Sequence, residues 1–123
     1  MKILLDTHYY LWSLASPERI SEEQRRLLES GANTIYVSAV SIAEIAIKTS
    51  IGKLDVRADV VGAIERSGFE RMDFTCEDGA LLGELPMHHR DPFDRMLIAQ
   101  ATRRRHFIMT DDEKFGGYDC RLI

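Results

Sequence analysis

HHRDPFDRMLIAQATRRRHFIM runs from His88 to Met109. Pro92 to Arg105 reads as the longest helix of the chain, and the next residues, HFIM (His106–Met109), read as a short apolar strand. Asp91 stands where an N-cap belongs, with Pro92 at the first helical position. Asp94, three residues past the cap, has the spacing of a capping box and faces the positive end of the helix dipole. A helix that feeds directly into a buried strand is half of an α/β repeat.

Working outward, the same alternation continues. KILL (Lys2–Leu5) is an apolar strand that ends at Asp6, and THYYLWSLA (Thr7–Ala15) a helix stopped near Pro17. Ser21 opens a second helix with Glu22 and Glu23 in its first turn. TIYV (Thr34–Val37) reads as a strand, and SIAEIAIKTSIGKL as a helix that begins at Ser41 and breaks at Gly52. Val60–Ser67 reads as helical and is closed by Gly68. Phe69–Phe74 alternates as an edge strand does, Thr75 and Asp78 have capping-box spacing before ALLGEL, and Asp119–Ile123 is a last short strand. The expected fold is α/β, a central parallel sheet of four to five strands with helices on both faces.

The chain has 123 residues, a length that fits one domain spanning 1–123. Hydrophobic residues make up 45% and charged residues 29%, as in a globular protein with a real core. No apolar run near Met1 is long enough for a secretory signal, and none approaches the roughly 18 residues of a membrane span. Cys76 and Cys120 lack metal or redox spacing. A cytoplasmic chain is therefore expected, with no membrane partner. The net charge of −4 is a mild argument against nucleic acid, because phosphate contacts depend on local patches.

Three acids fall where strand gives way to helix: Asp6 after KILL, Glu44 soon after TIYV, and Asp112 soon after HFIM. Asp94 makes a fourth at the start of its helix. Each has a local explanation. Asp6 can cap the Thr7 helix, Ser41–Glu44 and Thr110–Glu113 have box spacing, and Glu44 precedes Lys48 by four residues. Together they are harder to dismiss, because helix starts beside parallel strands gather at one edge of a sheet. Two carboxylates about 5 Å apart repel by roughly 3 kcal/mol at an effective dielectric near 20. Protons, basic side chains or a hard cation must relieve such a group, and Mg2+ or Mn2+ favours carboxylate oxygen.

LLDTHYYLW, SAVSIAEIAIKTSIGKL, HHRDPFDRMLIAQA and MTDDEKF, in that order, closely resemble the PIN-domain ribonucleases, specifically the VapC-like toxins of type II toxin–antitoxin systems. The resemblance covers nearly the whole chain. It implies catalytic and metal-binding acids at Asp6, Glu44, Asp94 and Asp112, with Thr7 and Thr110 as supporting hydroxyls. The Thr-x-Asp pattern selects Asp112 over its neighbour Asp111, and Asp91 is implied as a further supporting residue, a cap first and an outlying carboxylate of the site second. The activity implied is a Mg2+- or Mn2+-dependent endoribonuclease that hydrolyses RNA with an activated water. A cognate antitoxin and a homodimer are the partners implied.

The remaining charged and aromatic residues fit this frame. Lys48 and Arg95 lie nearest the acids as RNA phosphate contacts, though a salt-bridge role suits each. Arg103–Arg105 is explained by the negative end of its helix. The histidines show no acid–base pair, so His88, His89 and His106 read as solvent-facing or structural. Ile47 and Ile51 fall outside the apolar stripe of their helix, a surplus that fits the second copy or the antitoxin. Two competing readings remain. A receiver-like signalling domain also gathers acids around Mg2+, but it needs a late lysine, and the order of acids here fits it poorly. A catalytically inactive PIN binding module gains nothing from a chain that has all four acids.

Overall fold

A computed structural model describes every residue from Met1 to Ile123. The elements in order are β1 (Lys2–Leu5), α1 (Thr7–Ala15), α2 (Glu22–Glu29), β2 (Thr34–Ser38), α3 (Ala39–Ser50), α4 (Gly62–Arg66), β3 (Glu70–Met72), α5 (Cys76–Leu82), α6 (Pro92–Arg104), β4 (Phe107–Met109) and β5 (Arg121–Leu122). Short 3-10 turns cover Pro17–Arg19 and Glu113–Gly117. The strands form one sheet in the order β3-β2-β1-β4-β5, and every neighbouring pair is parallel. The expected α/β sheet is present with five strands.

Strand β1 shows why both faces are covered. Ile3, Leu4 and Leu5 are all fully buried, which a strand facing water on one side would not allow. Ile3 and Leu5 point into a cluster with Tyr9, Tyr10, Ile20, Ile45 and Ile64, from α1, α3, α4 and the segment before α2. Leu4 points the other way, against Leu97, Ile98 and Ala101 of α6 and Phe115 beyond β4. Each such side chain contributes about 1.5–3 kcal/mol by leaving water. No helix is long and apolar enough to cross a membrane.

Polar pins tie these layers together. Gln100, in the middle of α6 and fully buried, accepts from Ser38 Oγ at 2.6 Å and donates to the carbonyl of Asp73 at 3.0 Å. The Tyr10 hydroxyl donates to the carbonyl of Val60 at 2.6 Å, and burial pushes the phenol up to about 12. Tyr10→Phe leaves that carbonyl without its partner, so urea unfolding should show a loss of about 1–2 kcal/mol. Gly68, at φ +76, makes the left-handed turn from α4 into β3, a conformation costly for any residue with a Cβ.

Three local expectations are corrected. Helix α3 starts at Ala39 rather than Ser41. Ser38, the last residue of β2, is its N-cap and accepts from the amide of Val40, so Ser41 and Glu44 form no capping box and sit inside the helix. The helix expected over Val60–Ser67 shortens to α4: Val60 and Val61 form a turn ahead of it, and no side chain caps it at Val61. After β4 there is no box at Thr110–Glu113. Asp112 itself caps the 3-10 turn through the amide of Lys114 at 2.9 Å.

The Thr75–Asp78 box is formed, and its far carboxylate has a larger part. Asp78 is fully buried and accepts from Arg103 Nε at 2.8 Å and from both terminal nitrogens of Arg104 at 2.7 and 2.9 Å. Burial opposes its charge, but these donors and the Thr75 amide hold the carboxyl well below the ordinary range. Two of the three arginines thus tie α5 to α6, which the dipole explanation missed.

Candidate active site

In a parallel sheet, ligands bind beyond the carboxyl ends of the strands where the strand order reverses. Here that point lies between β1 and β4: the chain moves from β1 outward to β2 and β3, then returns to the far side of β1. Asp6 follows β1, and Thr110 to Asp112 follow β4. Ser38 ends β2 and leads into the helix that carries Glu44. The start of α6 brings Asp94 to the same place.

Each carboxylate is anchored by a neighbour. Asp6 caps α1: Oδ1 accepts the amide of His8 at 2.9 Å, and Oδ2 accepts the hydroxyl of Thr110 at 2.7 Å. Burial raises its pKa, but these bonds and the nearby His8 ring outweigh burial, and Asp6 ends below its usual value. The Thr110 hydroxyl also accepts the amide of Asp112 at 3.1 Å, which ties the first and last acids of the chain. Thr7 Oγ1 lies 2.8 Å from both Ser41 Oγ and Glu44 Oε1. A carboxylate only accepts, so Thr7 donates to Glu44 and receives the Ser41 proton. The other Glu44 oxygen is paired with Lys48 Nζ.

Asp94 is the group under most strain. Burial, then the charges of Asp91, Asp6, Glu44 and Asp112, raise its carboxyl to about 7. The helix dipole alone does not keep Asp94 ionised: burial and these four charges outweigh a dipole worth at most ~2 kcal/mol. The Asp91–Asp94 box is also one-sided. Asp91 Oδ1 accepts the Asp94 amide at 3.0 Å, but the Asp91 amide turns to His89 Nδ1 at 3.2 Å, which leaves the Asp94 carboxylate free.

His89 takes up that carboxylate and is the residue the sequence reading missed. It is 6% exposed, and its Nε2 lies 2.9 Å from Asp94 Oδ2 and 3.2 Å from Asp112 Oδ2. One donor atom from each of His89, Asp94 and Asp112 lies within 4.8 Å of the others, a group able to hold a metal ion. Nothing in one sequence separates His89 from its neighbour His88. The only local cue is its place two residues before the helix cap.

The two cations expected at the phosphate part ways. Lys48 lies beside the acids with its ammonium held by Glu44, and that bond, then the charges of Glu44, Asp91 and Asp94, raises its pKa against the effect of burial. Arg95 points elsewhere: its guanidinium turns to the loop before α6. There it donates to the carbonyls of Leu82, Leu85, Pro86 and His89 and to the Tyr118 oxygen, so both terminal nitrogens are occupied.

The donor set fits a hard divalent cation. It is built from carboxylate oxygens, and its negative charge is under-compensated, since Asp94 ionises only near neutrality with Lys48 already in place.

Fold and site together define an α/β domain with an acidic centre at the switch point of its sheet. The PIN domain family profile matches residues 3–119, and the chain belongs to that family. No curated protein sequence matches the chain. Among solved structures, it is similar to VapBC2 from Rickettsia felis bound to a DNA fragment from their promoter, at 20% identity and a TM-score of 0.74, over 100% of this chain and 98% of that one. DNA-bound VapBC from Salmonella typhimurium matches at 15% identity and a TM-score of 0.71, over 100% and 97% of the two chains. FitAcB from Neisseria gonorrhoeae matches at 19% identity and 0.66, over 98% and 96%.

Proposed function

We propose that this PIN domain is the toxin of a type II toxin–antitoxin pair and cleaves RNA internally with Mg2+ or Mn2+. The observation that carries the reading is Asp94, buried among four other carboxylates that hydroxyls and amides hold in place. Asp6, Glu44, Asp94 and Asp112 are the residues that would hold the ion, directly or through water. When bound, the ion lowers the pKa of a water and offsets charge on the scissile phosphate.

The chain's own groups do the rest. Thr110 and the His8 amide keep Asp6 ionised, while Thr7 and Lys48 fix both oxygens of Glu44. Lys48, which feels the charges of Asp91 and Asp94, would meet a phosphate oxygen. Asp91 stays outside the reaction as the cap that aims α6. The proton of His89 is shared by two carboxylates, so no histidine pair is set to activate a ribose 2′-hydroxyl. Water is therefore the nucleophile, and the products carry a 5′-phosphate and a 3′-hydroxyl. Products ending in 2′,3′-cyclic phosphate would refute this.

The antitoxin reading draws on the VapBC and FitAcB structures among the structural neighbours and on the same electrostatics. A basic side chain from a partner would relieve the acids as an ion does. Ile47 on α3 and Ile51 at its C-cap, 48% and 59% exposed, are the apolar surface for that partner or a second copy. Millimolar Mg2+ or Mn2+ should raise the melting temperature of the parent protein by several degrees through linkage. A melting temperature indifferent to both ions would count against a formed metal site.

A further inference from the structure

We propose that His89 is a positioning residue for the metal-binding carboxylates: it does not ligate the ion, but donates its Nε2 proton to Asp94 and Asp112 and holds both turned into the site. The inference rests on the metal reading above and goes beyond it by giving a histidine a defined part in an oxygen-donor site.

The argument begins at the far side of the ring. His89 Nδ1 lies 3.2 Å from the amide nitrogen of Asp91, and a backbone amide can only donate. Nδ1 must therefore present its lone pair, and in a neutral imidazole the proton then sits on Nε2. That proton has two acceptors, Asp94 Oδ2 at 2.9 Å and Asp112 Oδ2 at 3.2 Å. Ligation of an ion by Nε2 would move the proton to Nδ1 and set two donors against each other. The local backbone thus makes His89 a donor.

The ring is not free to turn away. The His89 amide donates to the Tyr118 oxygen at 2.7 Å, and the ring meets Phe115 edge-on with centroids 5.7 Å apart. The loop before α6, exposed for most of its length and buried at His89, is held in turn by Arg95, whose guanidinium reaches its carbonyls, including that of His89 at 3.4 Å. This explains why Arg95 faces the loop and not the substrate. Asp94 and Asp112 come from elements far apart in the chain, the start of α6 and the turn after β4. No other side chain hydrogen-bonds to both. Without a shared donor, their mutual repulsion would splay them.

Partners that orient metal ligands are typically worth 10–100-fold in metal affinity. The full-length protein is titrated with Mn2+, and free Mn2+ is read from its electron paramagnetic resonance signal. His89→Ala should weaken binding about tenfold or more. His89→Gln, whose amide nitrogen can reach the place of Nε2, should bind within about threefold of the parent, which lost packing alone would not restore. Electron spin-echo spectra of the parent's bound Mn2+ should lack a directly coordinated nitrogen. The positioning role is overturned if His89→Ala binds as tightly as the parent, if both variants lose affinity alike, or if coordinated nitrogen is seen; in each case the parent still binds Mn2+ and the nuclease reading stands. A parent protein that takes up no Mn2+ overturns both. Should His89→Ala fail to fold, the glutamine variant and the parent's spectra decide.

Discussion

Replacing Asp94 with asparagine will stop RNA cleavage and, at pH 8 without metal, make the protein more stable than the parent. The second half of this result separates a functional acid from a structural one. The carboxyl of Asp94 is raised from 3.8 to about 7, by burial first and then by the charges of Asp91, Asp6, Glu44 and Asp112. Between those two values the folded state binds more protons than the unfolded one, so stability falls as pH rises. The contribution of the protonated acid is fully present below about pH 4 and is lost as pH climbs through about 7. Three pH units correspond to about 4 kcal/mol at most. After discounting for partial exposure and relaxation, a gain of about 2 kcal/mol for the asparagine variant at pH 8 is expected, roughly 5–10 °C in melting temperature. The gain should shrink as pH falls and vanish below about pH 4. Cleavage should drop on the order of a thousandfold, the scale seen when a main electrostatic element is removed. A variant that cuts RNA at the parent's rate, or that melts lower at pH 8, would contradict this assignment of Asp94.

Asp78→Ala should have the opposite profile, a large loss of stability with the site chemistry intact. Removing this buried carboxylate leaves the Thr75 amide without its acceptor and the Arg104 guanidinium, whose side chain is 19% exposed, with only the carbonyls of Gln100 and Asp73 and no counter-charge. Breaking such a pair typically costs 3–5 kcal/mol. Arg103 is 40% exposed and can turn to water, so the lower end, about 3 kcal/mol, is expected, or a fall of roughly 10–15 °C in melting temperature. Because the Asp78 carboxyl is depressed, the stability it contributes is present above its unfolded value near 4 and is lost as pH falls below that. Urea unfolding at pH 7 and pH 3 should show the parent and variant far apart at the first and closer at the second. An equal midpoint at pH 7 would mean the pair is only a surface contact.

These two acids share one sequence pattern, a capping box, and the difference between them shows where the sequence stops being legible. Thr75 to Asp78 and Asp91 to Asp94 read alike along the chain. One far carboxylate meets two arginines 25 and 26 residues away, while the other meets a histidine five residues before it and an aspartate beyond β4. The sheet was legible because β1 and β4 are unbroken apolar runs and because helices separate the strands. Asp6, Glu44 and Asp112 were expected at one edge for the same reason, since parallel strands deliver their following residues there, and their charges reach Asp94, which opens a helix and follows no strand. Ser41 misled, because capping-box spacing from Ser41 to Glu44 competes with Ser38, and only the strand's end decides which serine caps. His89 was hidden because its role depends on the tautomer fixed by the Asp91 amide, a relation no spacing rule encodes.

Electrostatic crowding that a captured ion relieves is the core of the functional reading, and calorimetric titration of metal-free protein with Mn2+ at pH 7.5 tests it most directly. Saturable uptake should appear in the parent protein, and it should be lost or strongly weakened in both Asp6→Asn and Asp94→Asn. No saturable uptake by the parent, or uptake undiminished in both variants, would contradict the assignment of these carboxylates to a metal centre.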